Sequence, residues 1–325
     1  HTDNIKKIYV NNSVVWPSAL TPPDPKLEPF YVENTNNAAS SISISKSNAQ
    51  APTLTIEYST DKINWTTLGQ TSSSLSLMLQ PGDKVYFRCD CVTWTNGNYY
   101  NRFNYVRKIG GNVMSLLYGS NFTGQETSFP VGSTYSLSRV FYNNTSLVDI
   151  SELILPATTL TDYCYCYMFY NNIHLSAASD LILPATTLTS NCYQSMFEQC
   201  HALQNAPELP ATTLADYCYS SMFQGCSSLT TAPELPATTL ASSCYSRMFL
   251  GCGNLNYIKM LATDISASSC LSDWVYSVSR TGTFVKNPAM TSLPTGSSGI
   301  PIEWTVVNDG EESDGNLITF TVDGV

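Results

Sequence analysis

The sequence predicts a multidomain chain: an N-terminal all-β sandwich, then an α/β solenoid with a short strand and a short helix per repeat, closed by a small C-terminal β cap. Three observations predict it. Leu-Pro-Ala-Thr-Thr-Leu recurs at 155–160, 183–188, 209–214 and 235–240, so the spacings are 28, 26 and 26 residues. Between about residues 30 and 108 apolar side chains alternate with period two, as half-buried strands require. Beyond the repeats, 299–307 and 317–322 are strand candidates. The expected divisions are 1–29 (a hairpin and a Pro-rich linker), 30–108 (an Ig-like sandwich), 109–275 (the solenoid) and 276–325 (the cap).

Residues 5–16 read as a hairpin turning at Asn11-Asn12, and Pro17, Pro22, Pro23, Pro25 and Pro29 stiffen the segment after it. Ile42/Ile44, Leu54/Ile56/Tyr58, Leu75/Leu77/Leu79 and Val85/Phe87/Cys89 each place apolar groups on one face. Turn clusters such as Ser59-Thr60-Asp61 and Pro81-Gly82-Asp83 separate them, which is the grammar of a sandwich.

Within a repeat the spacing changes. Leu214, Cys218, Tyr219, Met222 and Phe223 follow helical spacing over about three turns. Thr212 and Thr213 are candidate caps and Gly225 a candidate end. Leu229, Ala232 and Leu235 then mark an extended segment broken by Pro233 and Pro236. A repeat of 26 to 28 residues falls in the leucine-rich-repeat range. Five parallel strands would make a face about 20 Å long. Atypical ends, Val140-Phe141-Tyr142-Asn143-Asn144 before the array and Trp274-Val275 after it, suit a stack whose last units must cover the core.

Met222-Phe223-Gln224-Gly225-Cys226-Ser227-Ser228-Leu229 followed by Ala232–Leu240 resembles the BspA-like leucine-rich-repeat surface proteins of gut bacteria. The flanks are similar too, in Ile8-Tyr9-Val10, Val15-Trp16-Pro17, Thr55–Ser59, Gly82–Arg88 and Gly299-Ile300-Pro301 before Trp304-Thr305. The resemblance implies an exported protein of the cell surface, or a secreted one, used in adhesion or binding and without a catalytic centre. The family has no fixed ligand motif, so it assigns no functional residue. The first repeat departs in having Cys166 beside Cys164 and Asn172 in place of a second cysteine. No signal peptide precedes His1, which is compatible with a mature form.

Composition narrows the function. The chain has 325 residues, net charge −10 and 12% charged residues, against roughly 25% in ordinary globular proteins. Nucleic acid and anionic membranes are poor partners for such a chain, and no run reaches the roughly 18 apolar residues of a membrane span. Serine-hydrolase, zinc-protease, P-loop and dinucleotide signatures are missing from the sequence. The expectation is a binding protein, not an enzyme, needing no cofactor and no metal, with a host or bacterial surface protein or glycan as its partner.

Three groups of residues are candidate sites. Gln204, Asn205, Thr230, Thr231, Asn256 and Tyr257 occupy strand-side positions that vary between units, as ligand faces of repeat proteins do. Trp94, Tyr99 and Tyr100 lie among amides, which would suit a carbohydrate-binding module in the N-terminal domain, though a hairpin covering the sandwich edge or seating it on the first repeat is the favoured reading. Glu152, Asp180, Glu208 and Glu234 align as an acidic column, either a solvated rim or a face for a cation or cationic ligand. A structural spacer of a surface appendage or phage-type fibre is the third functional class. Eight of the eleven cysteines fall in two repeat-locked columns. Their parallel Cα–Cβ vectors suit buried free thiols better than disulfides.

Overall fold

The computed structural model describes residues 8–10, 13–15 and 27–311. The hairpin is formed by β1 (Ile8–Val10) and β2 (Ser13–Val15), paired antiparallel with Val10 opposite Ser13. Pro17, Pro22, Pro23 and Pro25 of the expected linker, and the strand candidate at 317–322, lie outside the described residues.

Strands β3 (Tyr31–Glu33), β4 (Ser40–Lys46), β5 (Thr55–Ser59), β6 (Thr66–Gln70), β7 (Leu75–Leu79) and β8 (Lys84–Cys89) come next. After them stand β9 (Thr95–Asn96), β10 (Tyr99–Asn104), β11 (Lys108–Asn112) and β12 (Asp149–Ile154). Two open sheets result, ordered β7-β4-β10-β9 and β12-β11-β3-β8-β5-β6. The alternating residues Ile42, Ile44, Ile56, Leu79, Val85 and Phe87 are buried together with Phe30, Trp94 and Phe103 in one core. That core continues into the repeats, because β12 pairs in parallel with β11 and Phe141 packs 5.8 Å from Phe103.

The α/β solenoid expected for 109–275 is overturned. Helix accounts for 2% of residues and strand for 27%, so no repeat contains a helix. The one α-helix among the described residues, α1 (Ser115–Tyr118), precedes the repeats. The sheets do not run through the units as a solenoid's would. Between β12 and β13 (Tyr257–Met260) extended segments meet only as isolated bridges, such as Ala177–Asn205 and Thr187–Thr213. Proline explains this, since Pro207, Pro210, Pro233 and Pro236 bring no N–H to a ladder.

A ribbon of overlapping turns stands where the helix was expected. Cys164, Cys166 and Met168 donate their N–H groups to Thr161, Tyr163 and Tyr165, three residues back. The residues between them donate outward: Tyr165, Tyr167 and Phe169 bond to the carbonyls of Cys192, Gln194 and Met196 in the next unit at 2.9–3.0 Å. Every fourth residue takes a positive φ, at 163, 167 and 171, then 191, 195 and 199, and likewise through 269, 273 and 277. Gly225 is the third such position of its unit (φ 76), not a helix end. Thr212 and Thr213, expected as helix caps, bond instead to the Thr186 carbonyl. A four-residue ribbon places Cys218, Tyr219, Met222 and Phe223 on one face just as a 3.6-residue helix would. Apolar spacing therefore could not separate the two.

Left-handed backbone costs an ordinary residue roughly 1–2 kcal/mol, so the ribbon makes a signed prediction. Ser221→Gly and Ser269→Gly (φ 56 and 55) should each raise stability, by up to about 1 kcal/mol after the chain-entropy penalty of glycine. In a helix the same changes would lower it by a similar amount. Denaturant midpoints of the two variants decide the matter.

Stacked rings hold the units together. Phe141, Phe169, Phe197, Phe223 and Phe249 form one column at 5.3–5.8 Å between centroids. Tyr165, Tyr193, Tyr219 and Tyr245 form a second at 5.8–6.1 Å, and Trp274 closes both. All eleven cysteines are free thiols. Cys200, Cys226 and Cys252 donate to the carbonyls of Phe169, Phe197 and Phe223 at 3.0–3.1 Å. Asn172 donates to Phe141 in the same way at 3.0 Å, so the first unit's departure preserves the bond. At the end of the array β13, from the last full repeat, joins β14 (Thr283–Lys286) and β15 (Thr305–Asn308) in a parallel three-stranded sheet.

Candidate functional site

The turn ribbon leaves one side chain per turn on its outer flank, and in the first units these are aromatic. Tyr142 follows Phe141 and Tyr170 follows Phe169, so the ring column inside is matched by a half-buried one outside, 4.7 Å apart and inclined by 6°. Strand β10 adds Tyr100, 5.2 Å from Tyr142. Tyr135 and Tyr163, both at left-handed positions, stack at 4.3 Å. Arg139 lies 4.5 Å from the Tyr167 ring and 5.7 Å from that of Tyr100, and is anchored by a 3.0 Å bond to the Gly97 carbonyl. Arg102 bonds the Tyr142 carbonyl at 3.1 Å. Asn171 donates its side-chain amide to Asn143 at the edge of the row.

Burial pushes the phenols of Tyr142, Tyr167 and Tyr170 above their usual range, with Tyr100 and Tyr170 adding to the effect at Tyr142. These hydroxyls stay neutral. Neutral phenols, fixed guanidinium groups and amides in one row supply donors and acceptors over an apolar base, the composition that holds polyhydroxylated ligands.

The residues expected from sequence are distributed differently. Trp94 is fully buried, stacked on Phe103 at 5.4 Å, and donates to the Leu116 carbonyl. It is removed from the ligand set, because a core ring offers no face to solvent. Tyr99 is exposed, and Tyr100, half-buried, belongs to the row. On the strand side Gln204, Asn205, Thr230, Thr231 and Asn256 are exposed and Tyr257 is half-buried. Gln204 and Asn205 pair with Ser176 and Ala178, while Thr230 and Thr231 pair with Asn256 and Tyr257, through backbone only.

The acidic column is closed by lysine at both ends. Glu152 accepts from the Tyr31 hydroxyl at 2.5 Å and from Lys108 at 2.9 Å, and these bonds hold its carboxyl down to about 2. Glu234 lies 3.3 Å from Lys259, which also meets Asp309 at 3.0 Å. Asp180 and Glu208 between them are exposed. Among the described residues no three His, Cys, Asp or Glu side chains are placed to hold a metal ion, and no helix is long and apolar enough to cross a membrane. His174 and His201 are both exposed, and the latter's Nδ1 meets the Gly225 carbonyl at 2.8 Å.

Of the tyrosine–arginine row, sequence reading named Tyr100 alone. One signal was available: the residue after the repeat Phe is Tyr in the first two units and Glu, Gln and Leu in the next three. In comparisons with known proteins no family, no curated protein and no solved structure matches this chain.

Proposed function

We propose that the chain is a noncatalytic glycan-binding protein, secreted or held at a bacterial surface, whose ligand lies along the outer row Tyr100, Tyr142 and Tyr170. The observation that carries the reading is the row itself: stacked, half-buried phenols flanked by Arg102, Arg139 and paired amides. Rings fixed by stacking on one another give up little side-chain freedom when a ligand arrives, which favours affinity. The resemblance of the repeats to BspA-like surface proteins supports the setting, and the burial of ten of the eleven thiols keeps them out of reach of oxidants.

Binding to immobilised bacterial and host polysaccharides tests this. Tyr142→Ala and Tyr170→Ala should each weaken it about tenfold or more, the loss expected of a central aromatic contact. Thr231→Glu with Tyr257→Glu, on the strand side, should leave it unchanged. The opposite pattern would move the site to the strand side and remove the row from consideration.

A further inference from the structure

A cavity of about 680 Å³ opens past the C-terminal end of β10, the strand whose other end carries Tyr100 of the row. Strand β4 contributes Ser40 and Ser41, the segment after β10 contributes Tyr105 and Arg107, and the turns after Tyr142 and Tyr170 contribute Ser146 and His174. The two halves are tied together, since Asn144 donates its side-chain amide to the Val106 carbonyl at 3.1 Å.

Charge sets this cavity apart. The chain carries net charge −10, and residues 109–270 hold ten acids against three bases, a difference of −7. Among the described residues lining the cavity none is acidic, and Arg107, which is exposed, forms no ion pair with a described carboxylate. Its neighbours in the sheets behave otherwise: Lys84, Arg88 and Lys108 each hold a glutamate within 3.3 Å. Asp149, whose backbone bonds the Arg107 carbonyl, turns its carboxylate to the Ser151 N–H and hydroxyl at 2.9 and 2.8 Å. An unpaired guanidinium among hydroxyls can grip a planar anion with two parallel bonds. Tyr105, with φ +61 and 68% of its surface exposed, stands at the rim as a ring face for the sugar carrying that anion.

We infer that this cavity takes the negatively charged group of an acidic sugar, so that the glycan held by the tyrosine row is anionic. The inference rests on the glycan-binding reading and adds the ligand's charge to it. The carboxylate of a uronic acid and a sulfate ester present the same chemistry to Arg107, and the experiment separates them.

The full chain is titrated with three oligosaccharides of equal length: a neutral β-glucan, hyaluronan (carboxylates only) and a chondroitin sulfate. At least one acidic ligand should bind tenfold or more tightly than the neutral one. Preference for chondroitin sulfate over hyaluronan would identify sulfate, and equal binding of the two would identify the carboxylate. Arg107→Gln should bring the acidic ligands to the neutral level, and Arg107→Glu should reverse the preference. Unchanged melting temperatures show that both variants remain folded. If acidic and neutral ligands bind equally, or Arg107→Gln changes nothing while Tyr142→Ala weakens all three, the cavity assignment falls and the tyrosine row stands. Loss at Arg107 with none at Tyr142 leaves the cavity and removes the row. A protein that binds none of the three overturns both.

Discussion

Raising the pH to about 10 should unfold the repeats cooperatively. Cys164, Cys192, Cys200, Cys218, Cys226, Cys244 and Cys252 have no exposed surface, and burial pushes all of their thiols up, those of Cys200 and Cys252 to about 12. In the unfolded chain the same groups ionise near the ordinary value of 9.0. The folded state thus keeps its proton where the unfolded state gives it up. Stability is fully present below pH 9 and falls as the pH rises through the interval up to the folded values. Each thiol contributes a loss of about 1.4 kcal/mol per pH unit in that interval. Seven together remove roughly 10 kcal/mol by pH 10, comparable to the whole stability of a typical domain, about 5–15 kcal/mol. Tyr165, Tyr193, Tyr219 and Tyr245, also raised by burial, extend the effect above pH 10. Circular dichroism and tyrosinate absorbance followed together should change in one transition. The slope of unfolding free energy against pH should correspond to about seven protons, and Cys226→Ala should remove one of them. A protein still native at pH 12 would contradict the burial of these columns.

The same columns explain how far the fold was legible in the sequence. The inward residues of each unit were readable because a repeated side chain must meet its copy one unit away, and Cys218, Tyr219, Met222 and Phe223 are all buried. The backbone carrying them was not readable. A helix satisfies its N–H groups within itself, while this ribbon sends every second one to the next unit, and no local pattern in one unit records where a donor points. The left-handed positions are filled by Tyr163, Asn191, Tyr217, Ser243 and Ser269 in one column, of which only asparagine hints at that conformation. Trp94 was misplaced for a related reason: an aromatic residue beside Asn96 and Asn98 looks like a loop, and its burial depends on Phe103 and Leu116, which are distant in the chain. The rest of the tyrosine row escaped because it needs two units and β10 at once.

Deleting one ring from the centre of the phenylalanine column should lower stability by about 3–5 kcal/mol, the usual loss for a buried Phe→Ala change. Phe223 is the position to test. It has no exposed surface and lies 5.8 Å from both Phe197 and Phe249, inclined to them by 5° and 3°. Its carbonyl also accepts the Cys252 thiol and its N–H donates to Met248 at 3.0 Å. A cavity there therefore loosens the unit on each side, and in a stack each unit relies on its neighbours. The denaturation curve of Phe223→Ala should separate into two transitions, one for the units leaning on the sheet core and one for those leaning on Trp274. The neighbouring tyrosine column gives the opposite sign. The Tyr193 hydroxyl is buried without a hydrogen-bond partner, so Tyr193→Phe removes an unsatisfied group and keeps the ring. That variant should gain about 1 kcal/mol. A stabilised Tyr193→Phe beside a split Phe223→Ala would show that ring stacking, and not the polar tips of the rings, carries the cohesion between units. A Tyr193→Phe loss of similar size to that of Phe223→Ala would instead place the cohesion in the hydroxyl.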